Sequence, residues 1–181
     1  AYIAVRRSNN PLAILLDQIA FVPFLFPTIA FGAMYLTLFA VPVGPIPALY
    51  GTFTLLVLIS VVSRLPYSVK TGITAVTQIG QELEEAAEVA GASWWQRFRR
   101  IIMPLASSGI MSGMMVSFVG VMRELSLIIL LITPATRVLM TAGFGYAEEG
   151  FTQLTNALVL IVALLTIIGE LILWKIGKGR M

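Results

Sequence analysis

Hydrophobic residues dominate four stretches of the chain, about residues 12–41, 48–65, 105–132 and 152–174, and polar or proline-rich segments separate them. A bilayer-spanning helix needs roughly 20 mostly apolar residues, so the pattern predicts an all-α, polytopic bundle of about four transmembrane helices in one membrane domain, residues 1–181. The first stretch carries Asp17, Pro23 and Pro27. Prolines inside a membrane helix bend it, and neighbours satisfy the freed carbonyls, which predicts a kinked first span ending in the surface turn Val41 to Pro47. The second stretch ends at Ser63-Arg64-Leu65-Pro66, with an extension to Val76 open and Arg64 and Lys70 placed beyond the hydrocarbon. The third has Ser107, Ser108, Gly109, Ser112 and Gly113 early and Arg123-Glu124 late. The Gly109–Gly113 spacing permits close approach of another helix.

Between the second and third stretches, residues 78–104 change character. Glu82, Glu84, Glu85 and Glu88 come first, then Trp94, Trp95, Arg97, Phe98, Arg99 and Arg100. So many charges cannot cross a bilayer. The expected form is a hairpin of two short helices: Gly91 takes the left-handed conformation that ends the first, Ser93 caps the second, and Pro104 marks the return to the membrane. Ala86, Ala87 and Ala90 give the first helix a flat surface of small side chains that another protein can approach. The aromatic and basic second helix suits the membrane interface.

Composition agrees with the pattern. Of 181 residues, 58% are hydrophobic and 12% charged, with a mean hydropathy of +0.92; soluble domains carry about 25% charged residues. Zero Cys and zero His remove disulfides, thiolate and imidazole catalysis and most metal ligation, so no catalytic residue and no metal site is expected. No Gly-rich loop ending in Gly-Lys-Ser/Thr is present, which leaves the chain without a nucleotide site of that type. The net charge of +3 reads as a topology signal and not as a nucleic-acid surface. With four spans, Arg6, Arg7, Arg64, Lys70, Arg97, Arg99, Arg100, Lys175, Lys178 and Arg180 fall on one side, ten of the twelve basic residues. The positive-inside rule makes that side cytoplasmic, with both termini and the polar hairpin on it and Thr133 to Gly150 facing outward.

The hairpin carries a fixed-offset pattern: Glu85-Ala86-Ala87, three residues, Gly91, nine residues, Ile101, one residue, then Met103-Pro104. It resembles the EAA loop of ATP-binding-cassette importer permeases, with Met103 in place of the usual Leu. LLDQIAFVPFLFPTIAFG, VMRELSLIILL (Val121 to Leu131) and YAEEG (Tyr146 to Gly150) are similar to the ferric-iron branch, although Thr28 follows the second Pro where Gly is usual. The resemblance implies a type I importer permease domain in a bacterial or archaeal cytoplasmic membrane. Its loop would be the coupling helix: Glu85, Ala86, Ala87 and Gly91 form the surface that docks on an ATPase subunit, and Ile101 and Pro104 join it to the third span. The implied partners are ATP-hydrolysing subunits that bind the ATP, a second permease half (identical, different or fused), and a periplasmic or lipid-anchored substrate-binding protein. The chain itself needs no cofactor, and ferric iron or another small polar solute is the implied cargo. The family's half-unit has about six spans, so one or two N-terminal spans are expected to be missing, or the chain is the C-terminal half of a longer fused permease.

Ionisable residues at bilayer depth face a cavity or a partner. Asp17 and Glu170 are expected near span ends, snorkelling or paired. Arg123 and Glu124 point in different directions on a helix, so each needs its own partner. Either can line the outer pathway with Ser126 nearby, or lock the bundle through an interhelical salt bridge. Glu148 and Glu149 on the outer loop are candidates for contact with the binding protein, or simply solvated. The methionines of the third span read as packing, since thioethers select soft Cu(I) and not Fe(III). Two other functions fit the composition without the loop pattern: a fragment of an ion-coupled secondary transporter, using its membrane carboxylates, and a non-transporting scaffold whose hairpin recruits a soluble partner.

Overall fold

The computed structural model describes residues 1–6, 10–42 and 44–178. Arg7 and Arg180, two of the basic residues counted above, lie outside the described residues. Among those described, the elements are helices: α1 (Tyr2–Arg6), α2 (Pro11–Phe21), a 3-10 turn (Val22–Leu25), α3 (Thr28–Phe39), α4 (Phe53–Thr77), α5 (Gln81–Val89), α6 (Trp94–Arg97), a π turn (Phe98–Ile102), α7 (Met103–Met122), a 3-10 turn (Pro134–Thr136), α8 (Leu139–Glu148) and α9 (Thr152–Lys178). Phe53–Thr77, Trp94–Met122 and Thr152–Ile176 are each long and apolar enough to cross a bilayer, and the interrupted pair Pro11–Leu25 and Thr28–Phe39 makes a fourth if it crosses as one.

Three boundaries differ from the expected spans, each for a local reason. The first stretch is broken, not merely kinked: α2 gives way to the 3-10 turn around Pro23, and Pro27 stands extended at φ −55°, ψ 136° before α3. α4 runs through Pro66, which cannot donate to the carbonyl of Val62, and continues to Thr77. Arg64 and Lys70 therefore lie within this helix. α7 stops at Met122, and residues 125–132 form tight turns in place of the last two helical turns of the third stretch.

The chain divides into two compact units. One comprises Val22–Leu65 and Phe118–Glu170. Its core is Phe31 from α3, Leu55, Leu56 and Ile59 from the start of α4, and Leu127, Ile128 and Leu131 from the turns after α7. Gly32 lets this core close: a Cβ there would run into the carbonyl oxygen of Leu127. On α9 a narrow stripe is packed, with Val162 and Thr166 buried and Gly169 against the Phe118 ring, while most of its Leu, Ile and Val are exposed. Lipid tails are as apolar as leucine, so such a surface needs no protein cover in a membrane.

The other unit comprises Ala1–Phe21, Pro66–Ser117 and Leu171–Met181. Its core joins Ala75, Val76 and Ile79 of α4 to Ile102 and Ala106. The glycine spacing of α7 is used within the chain: a Cβ on Gly109 would lie 2.5 Å from that of Ala75, and one on Gly113 would meet the Thr71 hydroxyl. α4 and α7 thus approach backbone to backbone. Gly113→Ile is expected to overpack this contact and cost about 1–3 kcal/mol, read as a lower melting temperature in detergent. An unchanged melting temperature would show the contact to be loose.

Candidate functional site

The polar hairpin is shaped by its own caps. Glu82 and Glu84 lie in the first turn of α5, where negative charge complements the helix dipole. Gly91, at φ +83°, ends it: its N–H donates to the Glu88 carbonyl at 2.9 Å, and Ala92 N–H to that of Ala87 at 2.9 Å. A Cβ at Gly91 would meet nothing within 4 Å, so backbone conformation and not space demands glycine there. Ser93 then forms a reciprocal box with Gln96, whose side-chain oxygen accepts from the Ser93 N–H at 2.8 Å. The second helix does not stay short. It passes through the π turn, where Met103 N–H reaches back to the Phe98 carbonyl, into α7 without a break. Pro104 cannot donate to the carbonyl of Arg100, and a wider turn at that point accommodates the missing bond.

Adjacent acids on α5 have different environments. Glu84 is 6% exposed and accepts from Tyr2 Oη at 2.7 Å and Arg6 Nε at 2.5 Å. Arg6 Nη2 also donates to the Ile79 carbonyl at 2.8 Å, and the Tyr2 ring sits edge-on to Trp94 and Phe98. α1 therefore pins the start of α5. Glu85, by contrast, is exposed and has no ion pair among the described residues; Ala86 and Gly91 are exposed and Ala87 half-buried. Glu88 pairs with Arg97 across the hairpin. Ile101 is half-buried, whereas its neighbour Ile102, at 1% exposed, anchors the hairpin in the core. Tyr2, Arg6 and Glu84 escaped the sequence reading, because a five-residue helix shows no periodicity and Glu84 is one acid in a cluster.

Burial, together with the hydrogen bond to Glu84, raises the Tyr2 phenol above its ordinary value of 10. Tyr2 is thus protonated and donating at neutral pH. A raised folded pKa contributes stability that is complete below the unfolded value and is lost as pH climbs through the folded one. Tyr2→Phe is expected to lower stability by about 1 kcal/mol near neutral pH and to lose that deficit progressively as pH rises beyond the ordinary tyrosine value of about 10, measured by thermal melts at neutral and at alkaline pH. An equal deficit at both pH values would contradict the assignment.

Within the apolar helices, acids and bases are matched at two points. Lys70 Nζ donates to both carboxylate oxygens of Asp17 at 3.0 Å. Arg64 Nη2 donates to Glu124 Oε2 at 2.8 Å and to the Gly120 carbonyl at 2.8 Å, with the two side chains 18% and 16% exposed. Gly120 provides the slot, since a Cβ would collide with the guanidinium. The other oxygen of Glu124 accepts from Leu127 N–H at 3.2 Å, capping the turns that follow α7. Arg123 and Ser126 are exposed, and Arg123 has no ion pair among the described residues. Glu148 and Glu149 are exposed at the end of α8, where negative charge opposes the helix dipole.

A family model described as "binding-protein-dependent transport system inner membrane component" matches residues 1–176. The chain is 30% identical over 135 residues to the sulfate transport system permease protein CysT of Escherichia coli, covering 68% of this chain and 47% of that one. It is 33% identical over 140 residues to the putative ferric transport system permease protein FbpB 1 of Haemophilus influenzae, covering 76% and 21%. The chain thus spans about half or less of the length of these relatives. A solved structure of the MetNI methionine ABC transporter in inward-facing conformations superposes with a TM-score of 0.84 at 17% identity, over 99% of this chain and 82% of that one, which shows the fold. Sequence and fold agree: this multi-pass membrane chain belongs to the family of binding-protein-dependent transport system inner membrane components.

Proposed function

We propose that this chain is the membrane permease part of an ATP-binding-cassette importer, and that α5 is its coupling helix. The observation that carries the reading is the division of labour on α5. Glu84 is locked inward, while Glu85, Ala86, Ala87 and Gly91 present a small-residue surface on a hairpin continuous with the bilayer-length helix Trp94–Met122. A push on that surface from an ATP-hydrolysing subunit passes into α7 as rigid-body motion through the turn at Gly91, which its own backbone bonds, the Ser93–Gln96 box and the Glu88–Arg97 pair hold. The ATP belongs to that subunit, and this chain performs no covalent chemistry. A second permease half and an external substrate-binding protein complete the assembly, with Glu148 and Glu149 placed to meet the latter. The termini and hairpin face the cytoplasm. The cargo is a small polar solute, with the named ferric and sulfate systems among the relatives marking the range.

The ion-coupled alternative loses ground on geometry: Asp17 and Glu124, two carboxylates it would use, are each held by a base. The test is uptake into vesicles carrying the full-length protein with its ATPase and binding protein. Uptake that requires ATP and survives collapse of the proton gradient supports the importer; uptake driven by the gradient without ATP overturns it.

A further inference from the structure

We infer that Arg123, with the exposed Ser126 three positions on, is the point where the translocation path contacts its cargo, and that the cargo presents an oxyanion group: sulfate, phosphate, phosphonate or carboxylate, free or as the anionic shell of a metal chelate. The inference deepens the importer reading and rests on it.

Three observations carry it. First, the structure separates the consecutive charges: Glu124 is neutralised by Arg64, and Arg123 is left exposed without an ion pair among the described residues. A guanidinium is always charged in proteins, and an unpaired charge in an apolar stretch faces a cavity or a ligand. Second, the segment after α7 is two-faced. Glu124, Leu127, Ile128 and Leu131 turn inward, while Arg123, Ser126 and Leu130 are exposed. Third, the segment is fixed at three points: Glu124 to Arg64, Glu124 to the Leu127 N–H, and the Leu127 carbonyl against Gly32. A rigidly held donor binds without first being ordered. The planar fork of arginine matches a two-oxygen face, and a serine hydroxyl adds a third donor. The same fixed positive charge repels a bare metal cation, and no group of three or more Asp, Glu, His or Cys among the described residues is arranged to hold one.

A phospholipid headgroup offers the same phosphate chemistry, so the experiment separates the two sources. The full-length protein, with its ATPase and binding protein, is reconstituted in vesicles of phosphatidylcholine alone and with added phosphatidylglycerol. Uptake of radiolabelled sulfate, phosphate and ferric citrate is compared with that of spermidine and maltose, for wild type, R123Q and R123K. The expected result is ATP-driven import of an anionic probe, reduced about tenfold or more in R123Q and partly restored in R123K. This holds in both vesicle types. Import confined to spermidine or maltose, import of none of the anions by a complex whose ATPase is stimulated, or wild-type uptake by R123Q would overturn the inference. So would an R123Q defect seen only with phosphatidylglycerol, which would assign Arg123 to a headgroup. A wild-type complex showing no stimulated ATP hydrolysis would instead overturn the importer reading, and this inference with it.

Discussion

Replacing Glu124 by leucine is expected to destabilise the protein by about 3–5 kcal/mol, more than replacing Arg64 and Glu124 together. The single change takes the carboxylate away from the Arg64 guanidinium, which lies mostly hidden from water in the slot beside Gly120, and removes the acceptor for Leu127 N–H. The double change to leucine leaves no stranded charge, and replacing a buried ion pair by apolar groups is often neutral. Its residual cost includes the lost cap and the lost donor to the Gly120 carbonyl. R64L with E124Q keeps a side-chain oxygen for Leu127 N–H and is therefore expected to lie nearest the wild type. Thermal melts of the wild type and the three variants in one detergent check this order. A double variant as unstable as Glu124→Leu would show that the carboxylate acts through contacts other than Arg64.

The second large effect separates two adjacent acids. Glu85→Lys is expected to leave the melting temperature within a degree or so, since surface changes lie within about 0.5 kcal/mol, yet to reduce ATP-driven uptake at least about tenfold. Removing a hydrogen bond to a charged group costs about 1.5–3 kcal/mol, and here the charge is also reversed. Glu84→Lys is expected to do the opposite in kind. It places a cation against Arg6 and Tyr2 in a site 6% exposed, so the melting temperature itself falls, by the equivalent of about 3–5 kcal/mol. The pair of readouts, stability and uptake, distinguishes a docking residue from an anchoring one. Equal loss of stability in both variants would contradict the assignment of Glu85 to an external partner.

What the sequence showed readily was local. The left-handed turn at Gly91 and the Ser93 cap involve residues within a few positions of each other, and both formed as the residue types dictate; the answering contact from Gln96 came only with the structure. The apolar stretches likewise mark where helices can lie in a bilayer. What it hid was long-range. Ser63-Arg64-Leu65-Pro66 reads as the end of a span, because a charge and a proline each commonly end one. α4 continues because Arg64 finds Glu124 sixty positions away and Gly120 leaves room for it, a match that no periodicity reveals. Nor does spacing tell which of Glu84 and Glu85 turns inward: the answer lies with Tyr2 and Arg6 on a helix too short to announce itself. The need for two partners at Arg123 and Glu124 was legible from their adjacency, but only the structure shows that Glu124 has one within the described residues.

The central claim is that the exposed face of α5 couples this chain to an ATPase. Its most direct test is purification of the full-length gene product from native membranes in mild detergent, as wild type and as Glu85→Lys with Gly91→Pro. The account predicts an ATP-hydrolysing subunit co-purifying with the wild type and lost from the variant, with helical content by circular dichroism unchanged. Absence of any ATPase from a folded wild-type preparation, or its full retention by the variant, would contradict it.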